Sequence, residues 1–162
     1  MSGRTSFTLR PFRRGESALC ESILRSIPEW FGIEESLLTY ARDTESLPTW
    51  IAESPSAGEI GFISVKQHFP ESAEVYVIAV TRPYHRRGVG RALVQTAERW
   101  ARERGCSMLF VKTMGPSKPN AQYAATLRFY RALGFAPLEE FHKEWGGIPC
   151  LILSKALGEC RP

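Results

Sequence analysis

The chain has 162 residues, 43% hydrophobic and 23% charged, with a formal net charge of +4. This is the length of one domain and an ordinary composition for a soluble globular protein. Membrane spans are excluded, because no apolar run nears the roughly 20 residues that one needs; with no apolar leader either, the chain is expected to be cytoplasmic.

Phe7-Thr8-Leu9-Arg10-Pro11 reads as an opening strand stopped by proline. Glu16 to Ile27 follows as a helix with Leu19, Ile23, Leu24 and Ile27 on one face, ended by Pro28. Trp30-Phe31-Gly32 is an aromatic corner, either core filler or a ligand platform, and a short second helix is expected from Ile33 to Arg42. Thr49 to Glu53 reads as a strand, Ser54 to Gly58 as a turn, and Glu59 to His68 as the second arm of a hairpin. Glu74-Val75-Tyr76-Val77-Ile78-Ala79-Val80 has the nearly continuous apolar centre of a strand buried on both faces.

After a glycine-containing junction comes the clearest element, a long amphipathic helix. Val89, Ala92, Leu93, Ala97, Trp100 and Ala101 form its apolar stripe, with Arg91, Gln95, Glu98, Arg99, Arg102 and Glu103 on the other side and Gly105 at its end. Met108-Leu109-Phe110-Val111 then completes a β-α-β unit and is expected to pair in parallel. Asn120 caps a helix from Ala121 to Leu133 that stops at Gly134, and Cys150 to Leu153 closes the sheet. This order predicts an α/β fold, one mixed sheet with helices on both sides, forming a single domain over residues 1–162. Its core spans about residues 7–154, and 158–162 form a loose tail. Cys20, Cys106, Cys150 and Cys160 are scattered without ligand spacing, which predicts free thiols and no metal.

The chemistry concentrates at the junction His85-Arg86-Arg87-Gly88-Val89-Gly90-Arg91-Ala92-Leu93. Glycines at a strand-to-helix turn let the backbone bend tightly and let a ligand come close. The first helical amides have no intrahelical partner and sit at the positive end of the helix dipole, while Arg86, Arg87 and Arg91 add charge. Such a site suits a pyrophosphate. Charge is segregated as well: residues 82–131 hold eleven Lys or Arg against Glu98 and Glu103, whereas residues 29–59 hold seven acids against Arg42. That pattern either steers two ligands of opposite sign or marks two solvated faces.

Two stretches in order, Arg87 to Leu93 and Tyr123-Ala-Ala-Thr126-Leu-Arg-Phe129-Tyr130-Arg-Ala-Leu-Gly134-Phe135, resemble the GCN5-related N-acetyltransferase superfamily, GNAT, over about Phe7 to Leu153. The resemblance implies a central, mostly antiparallel sheet with one parallel, splayed strand pair and acetyl-CoA docked in that splay. It implies that Arg86, Arg87, Gly88, Val89, Gly90 and Arg91 bind the pyrophosphate through main-chain amides. Ile78, Ala79 and Val80 would line the pantetheine arm and donate an amide to the acetyl carbonyl, stabilising the oxyanion of the tetrahedral intermediate. Tyr130 would be the general acid that protonates the CoA thiolate. Two positions depart from the family pattern: His85 stands where Gln or Arg is frequent, and Tyr123 where Asn is frequent at the cofactor.

The attacking amine must shed a proton, since an ordinary ammonium with a pKa of about 10.4 is almost wholly charged at pH 7. Glu74 is the first candidate for the base, with Glu53, His68 and a solvent relay behind it. The expected acceptor is a small cationic amine, drawn to the acidic residues 29–59, with Trp30, Phe31, His142, Trp145 and a late loop from Phe141 to Pro149 shaping its pocket. Two other readings stay open: a member that binds RNA or acetylates an aminoacyl-tRNA, and a catalytically silent acetyl-CoA sensor. Nucleic acid is disfavoured because the basic excess is local, no membrane partner is expected, and the family resemblance allows a homodimer.

Overall fold

The computed structural model describes residues 5–158, so the expected loose tail beyond residue 158 and Cys160 lie outside the described residues. Its strands are β1 (Thr8–Pro11), β2 (Thr49–Ser54), β3 (Gly58–Phe69), β4 (Ser72–Val80), β5 (Met108–Met114), β6 (Ala136–Trp145) and β7 (Ile148–Ala156). The helices are α1 (Ser17–Arg25), α2 (Glu34–Asp43), α3 (Val89–Glu103) and α4 (Ala121–Ala132), and a single 3₁₀ turn covers Arg82–Tyr84. Hydrogen bonds order the strands β1-β2-β3-β4-β5-β7-β6. β4 and β5 run parallel, with Ser72 opposite Met108 and Val75 opposite Val111, as a crossover through a helix requires. β1–β2, β2–β3, β5–β7 and β6–β7 are antiparallel, so the fold is the expected mixed sheet with one parallel pair.

Backbone packing divides the chain into two compact units: the residues up to Lys66 with Tyr76–Ala97, and Gln67–Val75 with the residues from Glu98 onward. The first unit is built on the amphipathic faces of α1 and α2. Cys20, Ile23, Leu24 and Ile27 fall at helical spacing and pack with Leu37, Ala41, Ile51, Phe62, Val77 and Ala79. Removing these side chains from water is the main driving force for the unit, at about 25 cal/mol per Å² buried. The first helix lacks a side-chain cap of its own; the Glu45 carboxylate accepts from the amides of Gly15 (2.9 Å) and Ser17 (3.2 Å) instead. A carboxylate there also complements the helix dipole.

In the second unit Ala73, Val75, Leu109, Val111, Leu133, Phe135, Cys150, Leu151 and Leu153 are buried. Three expectations need correction. The strand around Cys150 runs longer, from Ile148 to Ala156, and lies between β5 and β6 rather than closing the sheet. Phe141 to Pro149 is not a loop: β6 continues to Trp145, and Gly146 and Gly147 turn the chain with positive φ. Finally, Glu98 is buried, only 6% exposed, and not on the solvated side of α3. Val94 and Thr96 are buried too, so the covered stripe is wider than apolar spacing implies, and Glu98 is retained by Lys155 at 2.7 Å and Arg102 at 3.5 Å.

Candidate active site

The end of β4 and the start of α3 build the anion-binding turn. Val80 closes the strand, Arg82–Tyr84 makes a 3₁₀ turn, and the chain then passes through Arg86 at φ 59° and Gly88 at φ 87° before α3 opens at Val89. The left-handed conformation comes readily to glycine and is strained for arginine. Ala92 N donates to Gly88 O at 3.0 Å, which leaves the amides of Val89, Gly90 and Arg91 among the orphan donors of the first helical turn. A Cβ built at Gly88 meets nothing within 4 Å, so the backbone there faces open space. Val89 anchors the helix start in the core, whereas Arg86, Arg87 and Arg91 are exposed. The cradle fits a pyrophosphate: free amides, a positive dipole end and three guanidinium groups at one bend.

Side chains of the same unit brace this turn. His85 turns back and donates Nε2–H to the Val80 carbonyl at 2.5 Å, so at this departure from the family pattern the ring serves the strand end. Trp30 packs edge-on against His85, with centroids 5.5 Å apart, and also packs on the core, so its ring braces the turn. Arg82 pairs with Glu29 and lies 5.9 Å above the Trp30 ring. Tyr84 donates to Ser54 Oγ at 3.1 Å, and the Arg87 guanidinium lies 5.7 Å over its ring. Along the preceding strand Ala79 is buried, while Ile78 and Val80 are half-buried.

The acidic stretch is more occupied than its sequence suggests. Glu29 pairs with Arg82, Glu34 with Arg25 at 2.6 Å and Asp43 with Arg42 at 3.4 Å, while Glu53 and Glu59 both face Arg10. Asp43 also accepts from the Tyr76 hydroxyl at 2.6 Å. Five of the seven acids of residues 29–59 thus face a guanidinium of Arg10, Arg25, Arg42 or Arg82, and Arg10 and Arg25 are shared with Glu16 and Glu21 outside the stretch. The engagement of Glu53 with Arg10 counts against it as a base.

The proposed acid and base lie in the other unit. Asn120 Oδ1 accepts from the amides of Gln122 (3.0 Å) and Tyr123 (3.1 Å), capping α4 as its sequence predicts. Tyr123 is half-buried in that first turn. Tyr130 is 2% exposed, held by Phe129 and Phe135 at centroid distances of 5.1 and 5.4 Å. Burial alone pushes its phenol well above the usual tyrosine range, so it stays protonated at neutral pH. Gly134, at φ 91°, ends the helix, and Phe135 N donates to Tyr130 O at 3.0 Å. Glu74 is buried, only 5% exposed; one oxygen lies 2.6 Å from His68 Nε2 and the other 3.7 Å from Lys112 Nζ. Sequence reasoning weighed Glu74 and His68 as rivals and overlooked Lys112. The hairpin that sets His68 beside Glu74 was the available signal. His142 is exposed, as is Trp145 at 37%.

Among the described residues no group of three or more His, Cys, Asp or Glu could hold a metal ion, and no helix is long and apolar enough to cross a membrane. Comparison with known proteins gives a concordant picture. The profile of the Acetyltransferase (GNAT) family matches residues 17–135. A mycothiol acetyltransferase of Corynebacterium glutamicum (strain R) is 30% identical over 98 residues, which is 60% of this chain and only 30% of that protein's length. The fold matches a GNAT-family protein of Desulfovibrio desulfuricans with a TM-score of 0.81 at 19% identity, over 94% of this chain and all of the other. It also matches the Salmonella typhimurium protein yncA, solved with acetyl-CoA, with a TM-score of 0.70 at 17% identity over 97% of each chain.

Proposed function

The chain belongs to the GNAT family of acetyltransferases, and from that premise we propose that it moves the acetyl group of acetyl-CoA directly onto a small, cationic primary amine. The observation that carries this reading is the turn from Arg86 to Arg91, with its left-handed Arg86 and Gly88, open backbone and exposed guanidiniums. In this reading the amides of that turn hold the pyrophosphate. The main chain of Ile78, Ala79 and Val80 runs beside the pantetheine arm and polarises the thioester carbonyl. Tyr130 gives its proton to the sulfur as the C–S bond breaks. Its buried, protonated phenol suits that role, because a donor to a thiolate must still carry its proton at neutral pH. Tyr123 stands beside the cofactor in place of an asparagine.

A base, Glu74 or the His68 imidazole held against it, takes the proton of the incoming ammonium. The predominance of acids over residues 29–59, seven against Arg42, supports a cationic acceptor.

The test is CoA thiol release from acetyl-CoA with a panel of amines: an amino acid, spermidine, an aminoglycoside and alanyl and lysyl peptides. Release with at least one amine is expected. Tyr130→Phe should lower kcat by about 10 to 10⁴-fold and leave acetyl-CoA affinity within about twofold. Unchanged turnover in that variant removes the acid role from Tyr130.

A further inference from the structure

The turn between β3 and β4 brings together a carboxylate and an imidazole. His68 Nε2 lies 2.6 Å from Glu74 Oε2, and Phe110 of β5 lies against the ring, with centroids 5.4 Å apart and planes tilted by 38°. The Glu74 side chain is only 7% exposed, whereas that of His68 is 29% exposed. Lys112, also on β5, sits 3.7 Å from the second carboxylate oxygen. The thiol of Cys150 on β7 is the further titratable neighbour; burial raises its pKa, against the field of Lys112. Both oxygens of Glu74 are therefore engaged, and the water-facing part of the pair is the imidazole.

An ionised carboxylate only accepts hydrogen bonds, so the short contact is Nε2–H donating to Oε2. The ring's other nitrogen, Nδ1, then carries the lone pair. A carboxylate behind an imidazole fixes its tautomer and orientation and stabilises the imidazolium once it forms.

From this geometry we propose that His68, through Nδ1, is the group that takes the acceptor's proton, and that Glu74 is a positioning residue behind it. The inference rests on the acetyltransferase reading given above. The step balances simply. The ammonium gives one proton to Nδ1, and the nitrogen lone pair so freed attacks the thioester carbonyl carbon. The C–S bond breaks as the sulfur takes the proton of Tyr130, the second nitrogen proton returns through solvent to the Tyr130 oxygen, and the imidazolium releases the first proton to solvent.

Two measurements decide it. Nitrogen-15 NMR of the histidine rings in the native protein needs no acceptor: the His68 ring is expected as the Nε2–H tautomer, with its titration midpoint falling in Glu74→Gln. An Nδ1–H tautomer, or a midpoint indifferent to Glu74→Gln, overturns the assignment. The second is the pH dependence of kcat/KM with the panel amine that gives the fastest thiol release. His68→Gln should lose about 10²-fold and the acidic inflection, with acetyl-CoA affinity unchanged. In His68→Ala added imidazole should restore part of the rate, and Glu74→Gln should keep the inflection at lower pH. If Glu74→Gln abolishes the inflection and His68→Gln retains it, Glu74 is itself the base. Failure of the native protein to bind acetyl-CoA and release thiol refutes the acetyltransferase reading instead, and the ring tautomer still decides the pair.

Discussion

Gly88 combines two properties that argue in one direction. Its φ of 87° is open to glycine and costly for any L-residue, and a side chain there would extend into the space where the backbone is open. Gly88→Val therefore carries strain of roughly 1–3 kcal/mol and blocks close approach of an anion to the turn. It should weaken acetyl-CoA binding at least tenfold by calorimetry, with a smaller loss of thermal stability. Binding equal to the native protein's would place the anion elsewhere. His85 shows what a single position conceals. Read alone it is a departure from a pattern; in the fold its ring ties the β4 end to the turn through Val80 O at 2.5 Å.

At the scale of elements, the sequence was informative wherever a segment answers to local rules. The α4 boundaries follow from Asn120, whose side chain has two amides to cap, and from Gly134, which takes the left-handed φ. The crossover helix α3 dictated the parallel pairing of β4 with β5. What stayed hidden depends on partners distant in sequence. Glu98 looked solvated because Lys155, 57 positions away, is what makes its burial tolerable. β7 entered between β5 and β6 because strand order is set by sheet pairing, which a run such as Cys150-Leu151-Ile152-Leu153 does not encode. The candidate site divides in the same way. Its glycine turn and Tyr130 were legible as motifs, while the contacts of His68 and Lys112 with Glu74 and of Trp30 with His85 became visible only in the fold.

For the molecule as a whole, the net charge of +4 and a pI of about 9.0 conceal an ordered set of carboxylates. Hydrogen bonds from Arg10 hold Glu16 below the usual carboxylate range; amides of Gly15 and Ser17 do so for Glu45, Arg25 for Glu34, and Ser117 for Glu140. A carboxyl whose folded pKa is depressed stabilises the protein above its unfolded value, and that contribution is lost as pH falls through the folded value. With ordinary values at 4.5, the melting temperature should hold from pH 7 to about 5 and decline below 4.5, modestly because these carboxyls are solvent-screened. A scan that stays flat to pH 3 would show that these contacts do not persist in solution.

The central claim, that the Arg86–Arg91 turn makes this chain an acetyl-CoA-dependent enzyme, is tested most directly by calorimetric titration of the purified protein with acetyl-CoA, CoA and dephospho-CoA. The account predicts micromolar binding of acetyl-CoA, and weaker binding of dephospho-CoA if the 3′-phosphate meets the exposed arginines. Absence of any binding would contradict it and leave the turn waiting for a different anion.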